Sequence, residues 1–201
     1  MGGPARRGRP SEVGVVRVAL TGTPGCGKST LAAVAARDGW GVVDVKAWAV
    51  AEKCVVGRDD ADEALVIDTK KLGRRVPKDD GRRVLYEGHL SHHLPVDVAW
   101  VIRCDPRSLR GRLQARGYKP AKVVENLEAE ALDIILQEAM AECPVVIQRD
   151  GTRRTPEQLY KAFADIPFDS LKDHDLEPAD WSDQLPFAQP RGASANPGRR
   201  P

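Results

Sequence analysis

The sequence predicts an α/β fold, a parallel five-stranded sheet with helices on both faces, on three observations. Residues 22–30, GTPGCGKST, match the phosphate-cradling pattern Gly-x4-Gly-Lys-Ser/Thr. A β-branched run at 15–20 precedes the motif and a helix-forming run at 31–36 follows it, ending near Gly39. Beyond it, short apolar runs of strand length alternate with helical patterns as far as Ile166, without an internal repeat.

The elements follow in order. Residues 42–45 read as a second strand and 46–53 as a helical segment. Residues 57–63, GRDDADE, are too charged for a core element and read as a loop or flap. Apolar character returns at 64–67, and Asp68 or Thr69 can cap a short helix through Leu72. The turn cluster at 77–81 leads into a third strand, 83–88, and residues 98–103 form the fourth. Asp105-Pro106 is a cap and first-turn pair for a helix through Ala115. Val124, Leu127, Ala131, Ile134, Ile135 and Leu136 keep helical spacing, which predicts one long helix from 121 to 142. Pro144 closes it before a fifth strand at 145–147. Pro156 opens a last helix with Leu159, Tyr160 and Phe163 on one face, and the core ends near Ile166.

A chain of 201 residues suits one such domain, placed at 14–168, with a basic arm at 1–13 and an acidic, proline-rich tail at 169–201, both of disordered composition. The net charge of +2 announces neither a nucleic-acid nor a membrane surface. The imbalance is local: Arg6, Arg7 and Arg9 at one end and Arg191, Arg199 and Arg200 at the other can contact RNA phosphates or stand as solvated tails. No run approaches the roughly 18 apolar residues of a membrane span, so a cytoplasmic protein is expected. Cys26, Cys54, Cys104 and Cys143 are far apart and read as free thiols, Cys26 filling a variable position of the loop.

The motif makes a nucleoside triphosphate, ATP, the first candidate ligand. Gly22, Gly25 and Gly27 let the backbone turn tightly and aim N–H groups at phosphate oxygens, and Lys28 can reach the β- and γ-phosphates. The hydroxyl of Ser29 can ligate Mg²⁺, and the helix that starts there directs its positive end at the same anion. Glu87 and His89 lie at the C-terminal end of the third strand, where ligands collect in open parallel sheets. Glu87 can hold Mg²⁺ through water and His89 can position a water molecule; as a plain strand end, the same segment would be a polar loop with His92 and His93. Arg112 and Arg116 share a helix face before Gly117, an arrangement that suits a phosphate-gripping lid or, equally, a basic helix end favoured by the macrodipole.

Four segments together carry a resemblance: LTGTPGCGKSTL at 20–31, YEGHLSHHLP at 86–95, VDVAWVIRCDP at 96–106 and RLQARGYKPAKVVENLEAE at 112–130. Over about residues 15–165 the chain resembles the small nucleoside monophosphate kinases of archaea and the eukaryotic nucleus that also serve small-subunit ribosome assembly. The resemblance implies an adenylate-kinase-like fold with a monophosphate-binding region near 44–67 and a short lid near 115–125. It implies transfer of the ATP γ-phosphoryl to AMP or another monophosphate, with ATP on Gly25, Gly27, Lys28, Ser29 and Thr30 and Arg116 closing over the phosphates. It further implies ATPase activity, binding of a small-subunit ribosomal protein and the pre-ribosome, and a part in late rRNA maturation; an ATPase-driven assembly factor with little kinase turnover, and a P-loop kinase for another small metabolite, stand as alternatives. Two positions depart from the family's pattern: Glu87 stands where Asp is frequent, and Lys46-Ala47-Trp48-Ala49 replaces Gly-Asp-Leu-Ala.

Overall fold

The computed structural model describes residues 17–59, 64–77, 83–166 and 174–187. Its centre is a parallel sheet built from β1 (Arg17–Thr21), β2 (Gly41–Asp44), β5 (Val84–Glu87), β6 (Val98–Arg103), β7 (Val145–Asp150) and β8 (Asp175–Leu176). The strand order is β2-β5-β1-β6-β7-β8, so β1 lies inside the sheet with β5 and β6 on either side. A separate antiparallel hairpin joins β3 (Val55–Arg58) to β4 (Leu65–Ile67). The helices are α1 (Lys28–Arg37), α2 (Val45–Ala51), α3 (Thr69–Gly73), α4 (Pro106–Ala115), α5 (Pro120–Ala131), α6 (Ile134–Glu142) and α7 (Pro156–Ala164).

The near-continuous apolar strands are explained by burial on both faces. All six residues of β6 are buried, with Val98, Trp100 and Ile102 facing one apolar cluster and Ala99 and Val101 the other. On the first face Trp100 stacks on Phe163 of α7 with ring centroids 3.9 Å apart, and Trp40 donates to the Tyr160 hydroxyl at 3.0 Å. These contacts seat α7 beside α1 and use the apolar stripe of Leu159, Tyr160 and Phe163 expected from the sequence. Thr155 caps α7 in a reciprocal capping box with Gln158.

Three expectations are corrected. The sheet has six strands rather than five, because Asp175 and Leu176 pair with Ile147 and Gln148. The core therefore does not end at Ile166: Phe187 packs against it, the Arg103 guanidinium lies 5.0 Å over the Trp181 ring, and Arg154 pairs with Glu177 at 2.7 Å. So residues 174–187 of the tail are bound to the domain, while the arm at 1–13 and residues 188–201 lie outside the described residues. Second, the helix expected over 121–142 is two helices. Asp133 adopts left-handed φ 58° between them, and Arg103 Nη2 takes the Glu130 carbonyl at 2.7 Å and pairs with the Asp133 carboxylate. A buried guanidinium thus claims backbone and side-chain acceptors at the break. Third, Gly57 and Arg58, expected in a charged loop, belong to β3, and residues 60–63 lie outside the described residues. No helix among the described residues is long and apolar enough to cross a membrane.

Candidate active site

The loop from Gly22 to Gly27 leaves the C-terminal end of the central strand β1 and delivers the chain into α1. At Gly22 the backbone has φ 134°, and a Cβ there would stand 2.3 Å from the Ile102 carbonyl oxygen. Only glycine lets the loop pass β6 that closely. Gly27 sits at the N-cap of α1 with left-handed φ 96° and supplies no side-chain cap, so the first-turn N–H groups of α1 point toward whatever lies before the helix.

Lys28 is buried and its ammonium donates to the Gly22 and Thr23 carbonyls at 2.7 and 3.1 Å, which lays it along the loop. Burial lowers its pKa, opposed by Glu87 and Glu130. Ser29 and Thr30 are exposed on the first turn of α1. The Ser29 hydroxyl donates to Glu87 Oε1 at 3.3 Å, joining the motif to the end of β5. Desolvation raises the Glu87 pKa, Lys28 opposes that shift, and Asp44, its register partner at the end of β2, adds to it. A half-buried carboxylate and an exposed hydroxyl are hard oxygen donors, so Ser29 and Glu87 fit the Mg²⁺ expected from the sequence.

His89 lies beyond Glu87. The residue is exposed, yet desolvation by the atoms around it and then the charges of Lys28, Lys122 and Lys46 push its pKa down to about 4. Its imidazole is neutral near pH 7. His92 has another role: it is buried, bonded to Thr21 Oγ1 at 3.0 Å and Glu138 at 3.2 Å, and belongs to the packing beneath the site.

The two lid arginines part company. Arg112 points inward and reaches the Gly25 carbonyl at 3.5 Å and the Thr152 carbonyl at 3.4 Å, long contacts that tie α4 to the loop and to the turn after β7. Arg116 is exposed at the C-cap of α4, followed by Gly117 at φ 75°, and its charge acts on both Lys28 and Glu87. The two arginines, Gly25, Gly27 and Thr30 line one cavity of about 410 Å³, a size suited to a small-molecule ligand. Gly151, Arg154, Pro156 and Leu159 line it as well; of these the sequence marked Pro156 and Leu159 only as the start and apolar face of the last helix, and Gly151 and Arg154 not at all.

Also unforeseen was the support under the loop. Glu130 of α5 is buried and accepts from Arg103 Nε at 2.8 Å, from the Cys104 amide at 2.9 Å and from the Thr23 hydroxyl. Burial works against the Arg103 charge, but Glu130 and Asp133 outweigh it and hold the guanidinium above its ordinary pKa. Arg103 also donates to Gln148 at 2.9 Å, so one buried cation joins β6, β7, α5 and, through Glu130, the phosphate loop.

In the region 44–67, Asp44 caps α2 by accepting from the Ala47 amide at 2.9 Å. Trp48, at the position that departs from the family's pattern, packs on Tyr86 with centroids 5.8 Å apart.

A strand, a glycine loop carrying a buried lysine, and a helix N-terminus at the centre of a parallel sheet define a P-loop nucleotide-binding protein. The family described as "AAA domain" matches residues 18–133. A protein of Archaeoglobus fulgidus named "Putative adenylate kinase" is 41% identical over 149 residues, 74% of this chain and 80% of its own length. One of the same name from Thermococcus onnurineus is 37% identical over 83% of this chain and 92% of its own length. Among solved structures, deoxyadenosine kinase from M. mycoides is similar with a TM-score of 0.47 and 13% identity, over 74% of this chain and 96% of that one. The chain belongs to the P-loop family of these archaeal, adenylate-kinase-named proteins.

Proposed function

We propose that the protein transfers the γ-phosphoryl group of ATP to a nucleoside monophosphate of the AMP type. The observation that carries this reading is the convergence of Arg116, from the end of α4, on the cavity lined by Gly25, Gly27 and Thr30. Names of the archaeal relatives support the same class.

In this reading the triphosphate lies along the loop with its β- and γ-oxygens at Lys28 and the α1 N-terminus, and the base lies against Pro156 and Leu159. Ser29 and Glu87 would hold Mg²⁺, which would neutralise phosphate charge. An oxygen of the acceptor phosphate attacks the γ-phosphorus. A new P–O bond forms as the bridging β,γ bond breaks, and ADP leaves with that electron pair. Lys28 and Arg116 stabilise the negative charge on the transferring group and the leaving oxygen. Arg112 acts as a positioning residue, holding the loop against α4. Arg116, carried on the turn at Gly117, closes over the phosphates and excludes water.

The acceptor would bind beside α2 and the β3–β4 hairpin. Neutral His89 supports a second activity, hydrolysis, in which it orients a water molecule when no acceptor is present. The ribosomal part of the reading, a small-subunit ribosomal protein, the pre-ribosome and rRNA maturation, rests on sequence resemblance alone, as does RNA contact by the basic arm.

ADP formation from ATP, measured at matched enzyme with AMP, CMP, GMP, UMP or no acceptor, tests the assignment. One monophosphate is expected to raise the rate well above the acceptor-free rate. Equal rates in every arm would leave only the hydrolytic reading.

A further inference from the structure

Below the nucleotide site, the turn at Ser91–His93 packs against α6 and brings together His92, His93 and Glu138. One ring nitrogen from each histidine and one Glu138 oxygen lie within 4.8 Å of one another. None of the three lines the nucleotide cavity. The His92 Nε2 to Glu138 Oε2 distance is 3.2 Å. Two ligand atoms on a tetrahedral zinc ion with bonds of about 2.0–2.1 Å stand about 3.3 Å apart.

Counting protons sharpens the geometry. The Thr21 hydroxyl donates to the His89 carbonyl at 3.2 Å and meets His92 Nδ1 at 3.0 Å, while Nε2 meets the Glu138 carboxylate. Each of these three contacts needs a proton, and a threonine with a neutral imidazole supplies two. If Thr21 serves His89, the single N–H of His92 serves Thr21, and the Nε2 lone pair faces a carboxylate. A third proton shared by that pair would complete the set. A cation between Nε2 and the carboxylate satisfies all three contacts.

We propose that His92, His93 and Glu138 bind one divalent transition-metal ion of the zinc class, separate from the Mg²⁺ of the nucleotide site. Two imidazoles and one carboxylate suit zinc, cobalt or nickel and not magnesium. The surroundings match those of metal-bound histidines, whose second nitrogen is held by a hydrogen bond: Thr21 engages Nδ1 of His92, and Glu142 lies 2.9 Å from Nδ1 of His93. The exposed side of the cluster leaves room for water as a further ligand. Bound there, the ion fastens the turn after His89 to α6 and fixes the His92 tautomer that donates to Thr21, the residue immediately before the phosphate loop.

The test uses the full chain, stripped with a chelator and dialysed, then titrated with Co²⁺ alone and followed by visible absorption. The expected result is one equivalent with the d–d bands of a four- or five-coordinate site, displaced by Zn²⁺ but not by excess Mg-ATP. His93 and Glu138 are 22% and 45% exposed, so His93→Ala and Glu138→Gln should fold, as checked by metal-free thermal melts. Each substitution should weaken binding roughly tenfold or more and abolish the rise in Tm that Zn²⁺ gives the parent chain. The proposal is overturned by absence of Co²⁺ binding at micromolar concentration. It is equally overturned by a thiolate charge-transfer band, by displacement with Mg-ATP, or by affinity that survives both substitutions.

Discussion

Replacing Arg116 by alanine lowers the rate of phosphoryl transfer by about 10³-fold or more while leaving the unfolding free energy within about 0.5 kcal/mol of the parent. The two halves of this result have separate causes. Arg116 is exposed at a helix end, and among the described residues no salt bridge or side-chain hydrogen bond holds it. Its removal therefore costs the fold little. Its charge nevertheless acts on Lys28 and Glu87, and it lines the same cavity as the phosphate loop. A loss of 10³ corresponds to about 4 kcal/mol of transition-state stabilisation, within the span of an arginine that grips a transferring phosphoryl group. Lys28→Ala should lower transfer by a similar order, but with some loss of stability, since its ammonium bridges two loop carbonyls in a buried place. Steady-state rates with ATP and the preferred monophosphate, beside denaturant melts, separate the two. Normal turnover in either variant would remove that residue from the reaction.

Arg103→Met destabilises the protein by about 3–5 kcal/mol, because it leaves the Glu130 carboxylate as a buried charge without its cation. Both side chains are 2% exposed. Glu130 would keep the Cys104 amide and the Thr23 hydroxyl, neither of which carries charge. The double variant Arg103→Met, Glu130→Gln should recover a large part of the loss, since it removes both charges together. Urea unfolding of the two single variants and the double measures the coupling. A loss below about 1 kcal/mol in Arg103→Met would mean that the network contributes little to stability.

The nucleotide loop was legible because its chemistry is local: nine consecutive residues specify turn, amine, hydroxyl and helix start. Glu87 and His89 were legible for a related reason, as polar residues at the end of a recognisable apolar strand. The Arg103–Glu130 pair was not, since 27 residues separate the partners and no local pattern links the end of a strand to one face of a later helix. The same arginine accounts for the break before α6, at Leu132 and Asp133, where the apolar spacing runs on without interruption. β8 has two residues in acidic surroundings and no apolar run. What attaches it lies on other elements: Gln148, Arg149 and Arg154 reach across from β7 and the turn after it. The two lid arginines looked equivalent in sequence, four residues apart on one helix; both line the cavity, and only their surroundings separate Arg112, which reaches the Gly25 and Thr152 carbonyls, from Arg116, exposed at the helix end.

The fate of the terminal phosphoryl group tests the central claim most directly. With γ-labelled ATP, Mg²⁺ and the preferred monophosphate, a single-turnover reaction should place the label in the β-phosphate of the newly formed diphosphate. Release of the label as inorganic phosphate, at a rate indifferent to the monophosphate, would contradict phosphoryl transfer.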